Sequence, residues 1–249
     1  MYSPKYLKGG TENINNFIIK YNHGPNFYIQ FKDDFIREIY KFNSLRTSPI
    51  IIDGGSNIGL SILYFKSIYP ESKIIGFEPD PEIFTILKEN IIVNGIDNIQ
   101  LHESGLGAKD CNTLFNQDGM AGGHIEEGSN TINIKMERLS NYLNNPIDFL
   151  KLNIEGKEID VLKEIDESNK IKEISEMVIE YHGFPNLKQT LGDILSILNR
   201  NNFRYLIHDF DSETCSITKP PFNYNNNDKW YCLIYAKNND NLFNENDEN

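Results

Sequence analysis

The hydrophobic positions of this chain change period repeatedly, and each change marks an element. Phe17–Tyr21 and Phe27–Phe31 are short alternating runs on either side of the turn formers Asn22-His23-Gly24-Pro25-Asn26, which predicts a hairpin. Asp33-Asp34 stand where a helix N-cap is expected, ahead of Phe35, Ile39 and Phe42 at helical spacing. After Pro49, Ile50-Ile51-Ile52 reads as a buried strand. It ends in Asp53, a glycine-rich turn and a helical pattern from Leu60 to Phe65, stopped at Tyr69-Pro70. Lys73–Phe77 repeats the arrangement, with Glu78 at its end. Pro79-Asp80-Pro81 then opens a helix through Ile83, Phe84, Leu87, Ile91 and Ile92 to Asn94-Gly95. Ile99–His102 is a third strand, running into Glu103-Ser104-Gly105-Leu106-Gly107. This β-α-β-α-β order calls for an α/β fold with a parallel sheet and right-handed crossovers.

The middle of the chain breaks the alternation. Thr113–Phe115 and Thr131–Met136 read as short strands bracketing a glycine-rich loop from Gly119 to Gly128, and loops this long in a compact domain tend to be functional. Asp148–Asn153 is the fourth main strand, Lys157 to Ile165 a helix, Met177–Tyr181 the fifth strand and Leu187–Asn199 an amphipathic helix. Phe203–His208 and Trp230–Ala236 have no long helix between them, which fits an antiparallel pair at a sheet edge. The expected organisation is an N-terminal extension, 1–48, formed by a hairpin and a helix. A main domain, 49–237, follows, and then an Asn- and acid-rich tail, 238–249, too polar to fold.

Composition narrows the function. A chain of 249 residues with 39% hydrophobic content buries a real core. Its net charge of −12 argues against a nucleic-acid surface, which carries a basic excess. Cys111, Cys215 and Cys232 are odd in number and widely spaced, so neither a disulfide framework nor a zinc site follows, and a reducing compartment is expected. The N-terminus has no apolar core of a leader, and no segment approaches the length of a membrane span. A cytoplasmic protein without membrane insertion is the expectation.

The chemistry lies in the strand ends. In a doubly wound sheet, ligands sit at the carboxyl ends of the strands. Asp53 with its glycines ends the first strand, and Glu78, 25 residues on, ends the second, so one β-α-β step sets both acids on the same rim. Glu78 is placed to take both hydroxyls of a ribose. Either a dinucleotide or S-adenosylmethionine suits these features. The dinucleotide fingerprint needs G-x-G-x-x-G, whereas Gly54-Gly55-Ser56-Asn57-Ile58-Gly59 is G-G-x-x-x-G. An acid ahead of the glycines also repels a pyrophosphate and suits a cationic amino-acid end. S-adenosylmethionine is the cofactor these residues select, and a nicotinamide-dependent oxidoreductase is disfavoured.

Four stretches, I-I-D-G-G-S-N-I-G, G-F-E-P-D-P-E-I-F-T-I-L-K-E-N-I-I-V-N-G, F-L-K-L-N-I-E-G-K-E and V-I-E-Y-H, stand in order between Ile50 and His182. Together they resemble the FkbM family of S-adenosylmethionine-dependent methyltransferases. The resemblance implies a class I methyltransferase, Rossmann-like fold: a mostly parallel seven-stranded sheet with helices on both faces and an antiparallel edge strand. It implies O-methylation of a hydroxyl on a saccharide or natural-product-like small molecule, a glycan acceptor among them. It places Asp53, Gly54, Gly55, Asn57 and Gly59 at the methionine end of the cofactor, Glu78 and Pro79 at the ribose, and Ser104 and Gly105 near the adenine. The family's K-x-D-x-E-G reads Lys151-Leu152-Asn153-Ile154-Glu155-Gly156 here. Asn153 is a poor base or metal ligand, but remains a hydrogen-bonding partner for cofactor or substrate.

Transfer to an alcohol needs an aligned acceptor and a base for its proton. Candidates at the ends of the fourth and fifth strands are His182, Glu155 and Glu180, of which His182 titrates in the useful range. Glu155 precedes a helix start, where capping competes with catalysis. Asn153, Glu155 and Glu180 resemble a divalent-ion set, but no spacing demands a metal. His124 lies in the glycine-rich loop, and Tyr224, Trp230 and Tyr231 offer either a sugar-stacking face or edge packing, the latter being the default. An N- or carboxyl-methyltransferase is the alternative on the same fold, and a catalytically inactive cofactor-binding module is the alternative that Asn153 favours. The acceptor pocket is expected from the variable stretches 1–48, 117–130 and 211–228, in which no pattern is readable.

Overall fold

The computed structural model describes residues 8–116, 131–184, 187–209 and 229–239. His124, Cys215, Tyr224, the loops 117–130 and 211–228, and the tail beyond 239 lie outside the described residues. The chain divides into two compact units, Met1–Gly105 with Cys111–Met136, and Leu106–Asp110 with Glu137–Asn249.

The first unit opens with strands β1 (Gly10–Ile14) and β2 (Phe17–Tyr21), paired antiparallel. Their turn is Asn15-Asn16, with φ of 52° and 68°, and positive φ at both central residues is what the twist of a two-residue hairpin requires. The expected hairpin partner, Phe27–Phe31, is instead helix α1 (Gly24–Phe31), and this corrects the sequence reading. His23 is the N-cap, its Nδ1 accepting from the Asn26 N–H at 3.4 Å, and Pro25 sits in the first turn. Phe27, Phe31 and Phe35 recur every four residues, so they share a helical face. Their rings lie 6.1 and 5.0 Å apart, and Tyr21 stacks on Phe27 at 4.4 Å. Asp33 and Asp34 do not cap a new helix. They are buried within a π-helical turn, Lys32–Ile36, where Arg37 donates to Asp33 at 3.0 Å. The chain leaves the turn at Glu38 with φ of 52°, so Ile39 and Phe42 are buried outside any helix.

Strand β3 (Ile50–Gly54), helix α2 (Leu60–Ile68), strand β4 (Lys73–Phe77), helix α3 (Pro81–Val93) and strand β5 (Ile99–His102) follow as expected. β4 pairs parallel with both β3 and β5. The Asp80 side chain caps α3 by accepting from the Glu82 and Ile83 N–H groups. Ile19, Phe27, Ile58, Leu60, Leu63 and Ile83 form one buried cluster, so the hairpin and α1 share a core with the glycine turn's Ile58. Asn90 on α3 and Asn94 at its C-cap, one turn apart, grip the free edge of β2. Each side-chain oxygen accepts a strand N–H and each amide donates to the same residue's carbonyl, Lys20 for Asn90 and Ile18 for Asn94. The two-residue strand period and the four-residue helical period are close in length, so two amides copy a β-ladder and blunt an edge strand.

Beyond β6 (Gly105–Leu106), β7 (Cys111–Asn116) and β8 (Thr131–Glu137) pair antiparallel. The second unit contains β9 (Ile147–Leu152), helix α4 (Glu158–Glu167), β10 (Ile174–Gly183), helix α5 (Leu191–Arg200), β11 (Phe203–Asp209) and β12 (Trp230–Asn238). β9 and β10 are parallel, while β12 runs antiparallel to both β10 and β11. β10 is longer than its apolar core suggests and carries His182 inside the strand. α5 starts later than expected, because the Thr190 N–H bonds to the Tyr181 hydroxyl at 3.0 Å before the helix begins. The seven strands of the expected class I sheet are thus present, mostly parallel, with the predicted antiparallel pair at the end of the chain. Among the described residues no helix is long and apolar enough to cross a membrane.

Candidate active site

In the first unit, Asp53 closes β3 and is fully buried. The Ser61 hydroxyl donates to its Oδ2 at 2.6 Å, which fixes the carboxylate's orientation. The Gly55 and Ser56 N–H groups both bond to the Phe77 carbonyl, at 3.1 and 2.8 Å, fastening the turn to the end of β4. Gly55 and Gly59 have φ of 82° and 92°, a region that favours glycine, and at Gly59 a Cβ would also lie 2.7 Å from Leu87. Asn57 shares the left-handed conformation at φ of 47°, and its Oδ1 accepts from the Ile58 N–H.

Glu78 at the end of β4 ties this turn to the next one. Its Oε2 accepts from the Asn57 N–H at 3.0 Å and its Oε1 from the Asp80 N–H at 2.9 Å. A carboxylate has about four acceptor positions, so two backbone donors orient it without exhausting it. Pro79 is half-buried beside it, Ser104 is buried, and a Cβ at Gly105 would meet Met136 Sδ at 2.7 Å. These residues fit S-adenosylmethionine. An ammonium and a ribose diol would each find an oriented acid here, whereas a pyrophosphate would meet two carboxylates.

In the second unit the strand ends assemble an acid–base cluster. Asn153 follows β9, and its amide donates to Glu180 Oε2 at 3.1 Å. Glu155 and Gly156 come next with φ of 54° and 93°, two consecutive left-handed residues of which the first is not glycine. His182 on β10 has Nε2 3.6 Å from Glu155 and 3.5 Å from Glu180, and Nδ1 3.4 Å from Glu158. Phe184 stacks on the imidazole at 5.7 Å, with the Lys229 ammonium 5.4 Å from the centre of the Phe184 ring. Burial by itself would lower the His182 pKa. The carboxylates of Glu158, Glu180 and Glu155 around the ring outweigh it, so the imidazole is held well above its ordinary value. The same burial pushes the neighbouring Cys232 thiol up to about 11.

The structure therefore brings Glu155, Glu180, His182 and Asn153 together within one unit, and Asp53, Gly54, Gly55, Asn57, Gly59 and Glu78 together within the other. Trp230 and Tyr231 serve edge packing. Trp230 lies against Gly183, where a Cβ would be 2.3 Å from its indole nitrogen, and meets Tyr181 edge-on at 5.3 Å; Tyr231 is tilted against His182 at 6.2 Å. Sequence reasoning passed over Glu158, which is 1% exposed and lies within reach of His182. The only signal was its place as the last acid of the E-G-K-E run.

Comparison with known proteins gives consistent matches. The family model of the methyltransferase FkbM domain matches residues 53–205. A curated relative, Methyltransferase 1 of Beauveria bassiana, is 27% identical over 184 residues, covering 62% of this chain and 74% of its own. A solved structure of methyltransferase FkbM from Methylobacillus flagellatus matches with a TM-score of 0.52 at 18% identity, covering 81% of this chain. The match spans 46% of that longer enzyme. The M. jannaschii TYW2 structure in complex with AdoMet matches with a TM-score of 0.50 at 12% identity, over 95% of this chain and 88% of its own. At these identities the two solved structures speak for the fold alone.

Proposed function

The chain belongs to the FkbM methyltransferase family, whose methyl donor is S-adenosylmethionine, and on that premise we propose that it methylates a hydroxyl oxygen of an uncharged saccharide or natural-product-like small molecule. The observation that carries this reading is the buried imidazole of His182 with three carboxylates around it. A hydroxyl must lose its proton as its oxygen takes the methyl group, and the neutral form of a carboxylate-backed imidazole, whose share grows as pH rises, is a group able to receive it. Even once His182 has taken that proton, three carboxylates leave the cluster net negative. That charge opposes a carboxylate acceptor and so speaks against carboxyl methylation.

In this reading S-adenosylmethionine supplies an electrophilic methyl group on a sulfonium. Asp53, Gly54, Gly55, Asn57 and Gly59 hold its amino-acid end, Glu78 and Pro79 the ribose, and Ser104 and Gly105 border the adenine. His182 takes the hydroxyl proton, Glu155 and Glu180 stabilise the imidazolium, and Asn153 offers an amide to cofactor or substrate. We take 49–237 as the catalytic domain and 1–48 as its extension. The setting we infer is the reducing cytoplasm, in keeping with Cys111 and Cys232 as free thiols among the described residues.

The test is a methyl-transfer assay against neutral sugars, polyols, amines and carboxylates, with His182→Ala beside the parent. The expected result is transfer to a hydroxyl compound, a loss of about 10²–10⁴-fold in turnover for the variant, and unchanged S-adenosylmethionine affinity by calorimetry. Transfer to amines alone would replace the reading by N-methylation. Unchanged turnover in His182→Ala would remove His182 from the mechanism.

A further inference from the structure

We propose that Glu158 is the positioning residue of the acid–base cluster: one buried carboxylate that fixes both the strained turn carrying Glu155 and the ring of His182. Its Oε1 accepts from the Ile154 N–H at 3.1 Å and the Gly156 N–H at 3.2 Å, and lies 3.4 Å from His182 Nδ1. These two amides flank Glu155, the non-glycine residue at positive φ, and a left-handed conformation there persists only when its surroundings over-determine it. Glu158 supplies that determination from the first residue of α4, where the helix end favours an anion. Standing 3.4 Å from Nδ1, it leaves Nε2 to face Glu155 and Glu180. The charged neighbours on each element around the ring are therefore Glu155 from the turn, Glu158 from α4 and Glu180 from β10. Tyr231 and the largely neutral Cys232 thiol approach from β12, and Lys229 is set back behind Phe184.

The proposal rests on the reading of His182 as proton acceptor only for its catalytic consequence, since the contact itself is testable without turnover. In Glu158→Gln the amide oxygen still accepts from Ile154 and Gly156, so the turn is kept while the charge is lost. Titration of the His182 imidazole by NMR in the full chain should show its proton affinity reduced about tenfold or more. The rising limb of kcat/KM against pH should move to lower pH by the same amount, with S-adenosylmethionine affinity unchanged. A residue that merely supported the fold would lower kcat and leave the limb where it was. In Glu158→Ala, which also removes the acceptor, the Ile154 and Gly156 amides should exchange faster with solvent. A His182 titration unaltered in Glu158→Gln overturns the proposal whatever the activity. An altered titration combined with full turnover in His182→Ala keeps Glu158 as the positioning residue and overturns only the acid–base reading.

Discussion

An aspartate at position 153 would set a second carboxylate about as close to Glu180 as the Asn153 amide now stands, at 3.1 Å. Asparagine turns that meeting into a hydrogen bond and holds the cluster to three carboxylates around one imidazole. The departure from the family pattern is thus built into the site, which counts against an inactive module. Asn153→Asp should cost about 1–3 kcal/mol of stability at neutral pH, and less in acid where the pair shares a proton. Denaturant unfolding at the two pH values checks it, and an equal cost at both would refute the repulsion. His182 gives a second pH effect. Its folded-state pKa is raised above the unfolded value, so its contribution is fully present below about 6.5 and is lost as pH rises through the folded value. His182→Gln should therefore flatten stability against pH on the alkaline side of 6.5, as read by denaturant midpoints. Asp53, Gly55, Gly59 and Glu78 were legible because the chemistry that selects them is written in consecutive residues. Glu158 was not, because its partner His182 lies on β10, distant along the chain, and nothing in the residues next to Glu158 points to that meeting.

Elements differed in legibility for a related reason. β3, β4 and β5 announce themselves by branched apolar runs with acids or turns at their ends. β1 does not, because Gly10–Ile14 carries little apolar signal and is defined by its partner and by Asn15-Asn16. With that partner unseen, the alternation at Phe27, Ile29 and Phe31 passed for the missing strand, although Phe27, Phe31 and Phe35 fit the four-residue period equally well. Side-chain capping by His23 decides for the helix. Asn90 has the most consequence at this scale. Beyond its two bonds to Lys20, its amide donates to the Ile58 carbonyl at 2.8 Å, which joins hairpin, α3 and the glycine turn. It is fully buried, so Asn90→Ala strands the Lys20 and Ile58 backbone groups, at a cost of about 1–3 kcal/mol. Hydrogen exchange should quicken in Phe17–Tyr21 and also at Asn57–Gly59. Faster exchange in the hairpin alone would break the proposed link to the cofactor turn.

Charge acts on the scale of the whole molecule. The chain carries −12 at neutral pH, and its candidate cofactor residues include the buried Asp53 and Glu78. S-adenosylmethionine has an ammonium, a carboxylate and a sulfonium, hence a net charge of one plus. Once the methyl has left, the thioether product is a zwitterion of net charge zero. A negative protein therefore attracts the donor over a distance and has no such hold on the product, a bias that favours release after transfer. Salt screens this long-range part within about 8–10 Å, while hydrogen bonds inside the site are little affected. Raising ionic strength should accordingly weaken S-adenosylmethionine binding about two- to tenfold and leave S-adenosylhomocysteine affinity within about twofold, measured by calorimetry on the same preparation. Glu78→Ala should weaken both ligands by about tenfold or more, because the ribose they share loses a charged acceptor, yet preserve most of the difference in salt response. Parallel salt curves for the two ligands would mean that discrimination resides wholly in contacts at the sulfur, and that the surplus of acids serves solubility alone.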